Sequence, residues 1–198
     1  MSIFKSKGII IKIDKMTGNN SNKEYNQEKI KGGEFLYTIF TKDYGKIKCN
    51  KKLSKTEKTL DLGYIVNFEI TTKENSSIHK INNIKILSEF THENKNFCEI
   101  NAYLTILAKV LHKTPHGSPI YELFDLLEFV TNIKNIDETK LILSKLKIIS
   151  IFGDLNENNE NETIRKILKF INVNKIESIL KLTGINEELK IKLNTIDF

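Results

Sequence analysis

The sequence predicts an α+β fold, in which residues 1–90 form a small five-stranded β-barrel and residues 91–198 form a bundle of α-helices. Apolar residues recur with a period of two in the first half and at helical spacing in the second half. The halves also differ in charge: residues 1–90 carry 17 lysines against 10 acidic residues, whereas residues 91–198 carry 14 basic against 15 acidic residues. The excess positive charge therefore lies in the strand-rich half, as expected if that half meets a polyanion.

Five segments of the first half have the composition and alternation of strands. They are found at 7–16, 34–41, 46–52, 63–72 and 78–87. Alternation within the first segment predicts two faces, one with Ile9, Ile11 and Ile13 and the other with Ile10 and Lys12. Because about ninety residues hold five strands and no long helix, we expect a closed barrel, of which the OB-fold is the best-known five-stranded form.

The second and third predicted strands form a hairpin within "GEFLYTIFTKDYGKIKCNKK" at 33–52. The second strand is apolar on both faces, which indicates a central position in the sheet. "KDYG" turns the chain, and Gly45 supplies the backbone freedom that the turn requires. In the third strand, Ile47 and Cys49 are expected to point inward. Lys46, Lys48 and Asn50 are expected to point outward.

A polar segment at 17–33 connects the first two strands. In an OB-fold this connection is one of the loops that border the ligand groove. The alternative interpretation is an insertion that a loop tip tolerates.

Three helices are predicted at the start of the second half. The segments at 97–112 and 120–133 are apolar around most of their circumference, which predicts burial at the centre of the bundle. A third helix at 137–153 begins at the cap residue Asp137 and ends at Gly153. After a polar segment, helical spacing recurs in three groups: Ile164, Ile167, Leu168 and Ile171; Ile176, Ile179 and Leu180; Leu189, Leu193 and Ile196.

Several classes of protein and site are not expected. Cys49 and Cys98 are far apart and are expected to be free, buried, small apolar residues. No apolar run approaches the roughly 20 residues of a membrane span, and the N-terminus lacks a secretory signal, so an intracellular, cytoplasmic protein is expected. Thr-Pro interrupts the helix between His112 and His116, so no metal site is expected. Without a nucleophile with its base, a carboxylate pair or a phosphate loop, the sequence predicts no enzyme activity and no cofactor.

Lysines around the hairpin are the strongest candidates for function. Phosphate binding requires cations arrayed along a surface, and exposed aromatic residues such as Tyr44 at the turn, and then Tyr37, would add base stacking. Lys7, Lys12 and Lys15 are candidates to extend this surface. The alternative interpretation is a solvated, lysine-rich edge strand that resists edge pairing. The cluster itself comprises Lys42, Lys46, Lys48, Lys51, Lys52, Lys55 and Lys58.

A second group of basic residues lies in the helical half. An acidic peptide that ends in an apolar residue would need an apolar notch with basic residues at its rim. The alternative is that these side chains cover solvated helix faces. The candidates are Lys140, Lys145, Lys147, Arg165, Lys166 and Lys169.

With the order fixed as small barrel and then helical bundle, three regions resemble the RecO family of bacterial recombination mediators. They are "KGIIIKID" at 7–14, "GEFLYTIFTKDYGKIKC" at 33–49, and "YELFDLLEFVTNI" at 121–133 followed by "LILSKLKIISIFGDL" at 141–155. The resemblance implies a nucleoid-associated, non-enzymatic DNA-repair protein that binds single- and double-stranded DNA and anneals complementary strands. It also implies partners, namely the ring-forming protein RecR and the acidic C-terminal tail of single-strand-binding protein, and a role in loading recombinase.

The chain departs from the family pattern at two places. Many members carry a zinc knuckle of two cysteine pairs where this chain has "NENNENE" at 156–162, so no zinc is expected. The basic stretch after the third strand is shortened to "LSKTEKTLDL" at 53–62.

The alternative function is a protein–protein adaptor whose small barrel binds peptide, with lysines that reflect composition only.

Overall fold

The computed structural model describes residues 2–15, 33–54, 57–72, 77–90, 95–134 and 136–196. They form an α+β structure in which five strands precede six helices. The strands are β1 (Ser2–Lys15), β2 (Gly33–Thr41), β3 (Gly45–Leu53), β4 (Ile65–Thr72) and β5 (Ile78–Ser88). The helices are α1 (Phe97–Lys113), α2 (Tyr121–Asn132), α3 (Glu138–Ile151), α4 (Glu162–Val173), α5 (Ile176–Ile179) and α6 (Glu187–Asn194).

All five predicted strands and the first three predicted helices are present, with ends that differ by a few residues. The main difference is β1, which begins five residues before the predicted start at Lys7 because its first half pairs with β4. The polar segment at 17–33 lies outside the described residues except for Gly33. No helix in the described part of the chain is long and apolar enough to cross a membrane.

The strands close on themselves in the order β1–β2–β3–β5–β4, with β4 pairing back onto β1. Every pair is antiparallel except β3 with β5, which pair in parallel through Lys48–Ile78, Cys49–His79 and Asn50–Lys80. This arrangement is called the closed sheet below. The buried core inside it consists of Ile10, Tyr37, Ile39, Ile47, Cys49, Leu60, Val66, Phe68, Ile70 and Ile81.

A β-bulge in β1 changes which side chains point into the core. Ile10 pairs with Ile39 and Lys12 with Thr38, so Ile11 is the extra residue. A bulge breaks the period of two, and Ile10 and Ile13 therefore both contact the core. The predicted faces of this strand were wrong, because simple alternation put Ile10 and Ile13 on opposite sides.

The chain divides into two compact units. The first comprises Met1–Phe90 and Val110–Tyr121, and the second comprises Thr91–Lys109 and Glu122–Phe198. The sequence assigned 110–121 to the helical half, whereas the structure groups this segment with the strands.

Within the first unit, the segment 110–121 lies against the start of β3. The amide of Gly117 donates to the carbonyl of Lys46 at 3.1 Å. Gly45 has φ of 62°, and a Cβ atom at this position would stand 2.2 Å from the carbonyl oxygen of Ser118. Glycine at 45 therefore serves two purposes: it makes the predicted turn, and it allows the backbone of the segment to approach.

In the second unit, α3 is the central helix. It packs against α4, α5 and α6, and eight of its residues from Leu141 to Ile149 are buried. Asp137 caps its start by accepting from the amide of Lys140, as predicted, and Gly153 follows its end with φ of 77°. The sequence predicted that α1 and α2 are both buried. Five apolar residues of α2 are buried, whereas α1 leaves Phe97 80% exposed and Leu104 37% exposed.

The two cysteines differ in environment. Cys49 is buried in the closed sheet and Cys98 is exposed at the start of α1, and both are free thiols. The prediction of a buried apolar role is confirmed for Cys49 and wrong for Cys98. Burial raises the pKa of the Cys49 thiol to about 12.

Replacing Gly45 with alanine is expected to destabilise the first unit by about 2–5 kcal/mol. Left-handed backbone costs an alanine about 1–2 kcal/mol, and the overlap with Ser118 adds a packing penalty of about 1–3 kcal/mol. Gly117→Ala is the matched control, because Gly117 has φ of 73° but a Cβ atom there would have nothing within 4 Å. Urea denaturation followed by circular dichroism would measure both, and equal losses would contradict the close approach to Ser118.

Candidate nucleic-acid interface

Strands β1, β3 and β5 of the closed sheet present lysines on one outward side, and the buried Thr38 of β2 lies between Lys12 and Lys48. On β3 the outward residues are Lys48, Asn50 and Lys52, since Ile47 and Cys49 point into the core. The register sets Lys12 of β1 beside Thr38 of β2, and Thr38 beside Lys48. It also sets Lys80 of β5 beside Asn50. This surface is called the lysine face and is defined by Lys12, Thr38, Lys48, Asn50, Lys52 and Lys80.

Three cations of the lysine face are unpaired. Lys48, Lys52 and Lys80 are exposed and form no ion pair or side-chain hydrogen bond with any residue that the structure describes. At about 3.3 Å per residue, Lys48 and Lys52 are about 13 Å apart along β3. They present positive charge over a span long enough to follow a chain of phosphates.

Acidic residues offset part of the positive charge at the edge of the lysine face. Asp14 lies 2.9 Å from the ammonium group of Lys12, and the side-chain amide of Asn50 donates to Glu34 at 3.2 Å. Lys12, predicted as a DNA contact, is therefore already paired. The unpaired charge is concentrated on β3 and β5.

Lys46 is buried, and its predicted exposure was wrong. Only 7% of the residue is exposed, and its Nζ donates to the carbonyl of Leu111 at 2.6 Å. Burial, and then the neighbouring Lys48, lower the pKa of its ammonium group. Alternation correctly put Lys46 on the outside of the strand, but the segment 110–121 covers that position.

Lys51 and Lys58 are engaged by carboxylates away from the lysine face. Lys51 lies 2.8 Å from Glu57, and its hydrogen bond is the main reason that the pKa of Glu57 falls to about 2. Lys58 lies 3.0 Å from Glu89, and that bond raises the pKa of its ammonium group. Neither lysine joins the surface formed by Lys48 and Lys52.

The remaining hairpin candidates are scattered. Lys7 and Lys42 are half-buried and lie close together at the backbone, where the amide of Lys42 donates to the carbonyl of Lys7 at 3.0 Å. Lys15 is exposed at the end of β1. Lys55 lies outside the described residues.

The two tyrosine candidates differ in how far they are buried. Tyr37 is 1% exposed in the core, and burial raises its pKa to about 12, so the stacking role predicted for it was wrong. Tyr44 is half-buried at the β2–β3 turn, and its ring centroid lies 6.0 Å from that of Phe4. Both of these rings line a cavity of about 380 Å³.

The basic residues of the second unit do not form one site. On α3, Lys140 lies 3.4 Å from Asp137, and Lys145 donates to the carbonyl of Asn194 at 2.7 Å. On α4, Lys166 is paired with Glu162 at 2.9 Å. Arg165 and Lys169 are exposed on the same helix.

Lys147 lines a cavity that also contains the apolar residues Leu126 and Ile176. The charged residues around this cavity are not those expected of a site for an acidic peptide. Lys147 is 6% exposed and lies 3.2 Å from Glu122, so it is not part of a solvated helix face. The cavity, of about 370 Å³, includes two lysines and three carboxylates. Its lining is Glu122, Asp125, Leu126, Lys147, Lys175, Ile176 and Glu177.

The two histidines singled out by the sequence lie in different environments. His112 is exposed on α1, whereas Nδ1 of His116 lies 3.2 Å from the carbonyl of Lys46. Within the described part of the chain, no group of three or more His, Cys, Asp or Glu residues is placed to hold a metal ion.

Three residues gain importance only from the structure: Phe4, His79 and Lys80. Lys80 alternates outward within a predicted strand, but only the parallel pairing of β5 with β3 sets it beside Asn50. Phe4 and His79 line the same cavity. The only sequence signal for Phe4 was a large apolar residue before the predicted start of β1.

Comparison of the sequence with models of known protein families gave no match, and comparison with curated proteins gave none either.

Lys46→Glu is expected to destabilise the first unit by about 3–5 kcal/mol, because a carboxylate would be buried against the Leu111 carbonyl without a cation. Lys48→Glu is the matched control on the same strand and is expected to stay within about 0.5 kcal/mol of the parent. Urea denaturation would measure the difference. If both variants were equally stable, the burial of Lys46 would be contradicted.

Proposed function

We propose that the first unit binds single-stranded DNA through the lysine face, without catalysing a reaction. The observation that carries the proposal is the row of exposed, unpaired cations Lys48, Lys52 and Lys80 on the paired strands β3 and β5. Neutralising phosphates at such a row releases condensed counterions, which supplies the binding free energy.

We further propose that the closed sheet is an OB-fold. The closed order of five strands supports this assignment. In OB-folds the face formed by strands 2 and 3 binds oligonucleotides, and β3 carries two of the three unpaired cations of the lysine face. Fold and charge thus favour the same surface.

The proposed mode of binding recognises the backbone and not the base sequence. Lysines on an open sheet contact phosphates, which carry no sequence information. Neutralised phosphates also repel a second strand less, so two complementary strands held at this surface would anneal faster. Double-stranded DNA would be bound through the same cations.

The resemblance to the RecO family extends the proposal to a recombination mediator of the cytoplasm and nucleoid. In this extension the second unit would contact a ring-forming partner and the acidic tail of single-strand-binding protein. The mixed charge around Lys147 argues against that cavity as the site for the tail. Arg165 and Lys169, exposed on α4, remain the better candidates.

A peptide-binding adaptor is the second candidate function. Ile78 is exposed on β5 and pairs with Lys48, so the lysine face has an apolar element that a peptide side chain could contact. Salt dependence separates the two functions, because DNA binding through several phosphates weakens steeply as salt rises.

The double variant Lys48→Ala/Lys52→Ala tests the proposal. Each lost phosphate contact on a single strand is expected to make the slope of log affinity against log salt shallower by about 0.7, so the pair should change it by about 1.4. Fluorescence anisotropy with a labelled oligonucleotide at several salt concentrations would measure the slope, and an annealing assay would follow the same variants.

Lys5→Ala/Lys85→Ala is the matched control. It removes two exposed lysines, opposite Glu69 and Asn67 of β4, that do not belong to the lysine face, and is expected to leave the slope nearly unchanged. Absence of binding by the parent at low salt would refute DNA binding, and equal effects of the two double variants would refute the lysine face as the site.

A further inference from the structure

The closed sheet has two adjoining cavities, and the lysine face reaches only the second of them, through Lys48. The first, of about 380 Å³, is lined mainly by Phe4, Tyr44, Ile47 and Ile70. The second, of about 460 Å³, opens beside Lys48. They share Ile47, His79 and Gly117 and are together called the His79 pocket. Each has the size of a small-molecule site, roughly 300–1,000 Å³.

Aromatic surface is available in the first cavity. Phe4 is 42% exposed, and its ring is tilted by 60° against that of Tyr44. A planar, π-faced group can stack on such surface. An aromatic or heterocyclic occupant therefore fits better than an aliphatic one.

Polar groups around the pocket indicate what else the occupant must carry. Nδ1 of His79 is buried and has no hydrogen-bond partner among the described residues, so the imidazole retains an unmet demand for a donor or an acceptor. Asp43, the carboxylate in the first cavity, is within hydrogen-bond distance of the Ser6 hydroxyl at 3.1 Å. The occupant of this cavity should thus be polar at its edge and carry no negative charge there.

Lys48 provides a cation at the rim of the second cavity. This residue is exposed without a partner among the described residues. A negative group would be favoured there and disfavoured beside Asp43. The pocket therefore has an aromatic part that disfavours anions and an anion-binding part side by side.

We propose that the His79 pocket holds one unstacked nucleobase of a single-stranded nucleic acid against Phe4 and Tyr44, with the adjoining phosphate beside Lys48. This inference rests on the proposed function and adds to it a contact with a base. Since every base has a π-face and polar edges, the pocket selects single strands over duplexes without strict sequence preference.

The test compares a labelled thymidine oligonucleotide with an abasic oligonucleotide of the same length, using the full chain and fluorescence anisotropy. Both probes carry the same phosphates, so their difference reports the base. We expect the parent to bind the thymidine probe about 5- to 150-fold more tightly, the range for stacking of one base. Phe4→Ala and His79→Ala should each reduce this preference and leave affinity for the abasic probe unchanged.

Phe97→Ala is the control, since it removes an exposed aromatic residue of the second unit, and it should retain the full preference. Circular dichroism of each variant shows whether the fold is intact. Equal affinity of the parent for both probes overturns the pocket but not the lysine face, and favours an aromatic side chain of a protein partner as the occupant. Binding of neither probe overturns the proposed function and the pocket together.

Discussion

The parallel pairing of β3 with β5 is the constraint on which the first unit depends. It joins the hairpin to the last strand and so closes the sheet. Closure removes the unpaired backbone groups of an open edge, and it buries Cys49 and Ile81 inside. The same pairing sets Lys80 beside Asn50 and His79 beside Cys49, which defines both the lysine face and the His79 pocket.

The outside of the closed sheet is divided into a covered part and an open part. Phe40 and Lys46 face each other across β2 and β3 and are buried, although they point away from the core. One step further along, Thr38 pairs with Lys48, which is exposed. The segment 110–121 reaches Lys46 through Leu111, His116 and Gly117, so the lysine face begins where this cover ends.

Charge in the first unit is less concentrated than the lysine count indicates. Ion pairs with Asp14, Glu57 and Glu89 occupy three of the candidate lysines, and a backbone carbonyl occupies Lys46. On the lysine face itself, three unpaired cations remain, namely Lys48, Lys52 and Lys80. In the proposed mode, binding through so few phosphates would be weak and readily reversed.

The sequence by itself determined the strand and helix segments, the turn at Gly45 and the helix cap at Asp137, because periodicity, glycine conformation and capping are properties of a few neighbouring residues. It did not determine the bulge at Ile11, which reverses the faces of β1. Nor did it determine the burial of Lys46, whose partner Leu111 is 65 positions away. Which lysines are free, and which strands bring them together, was decided only by tertiary structure, since ion pairs and strand registers form between segments that are distant in the chain.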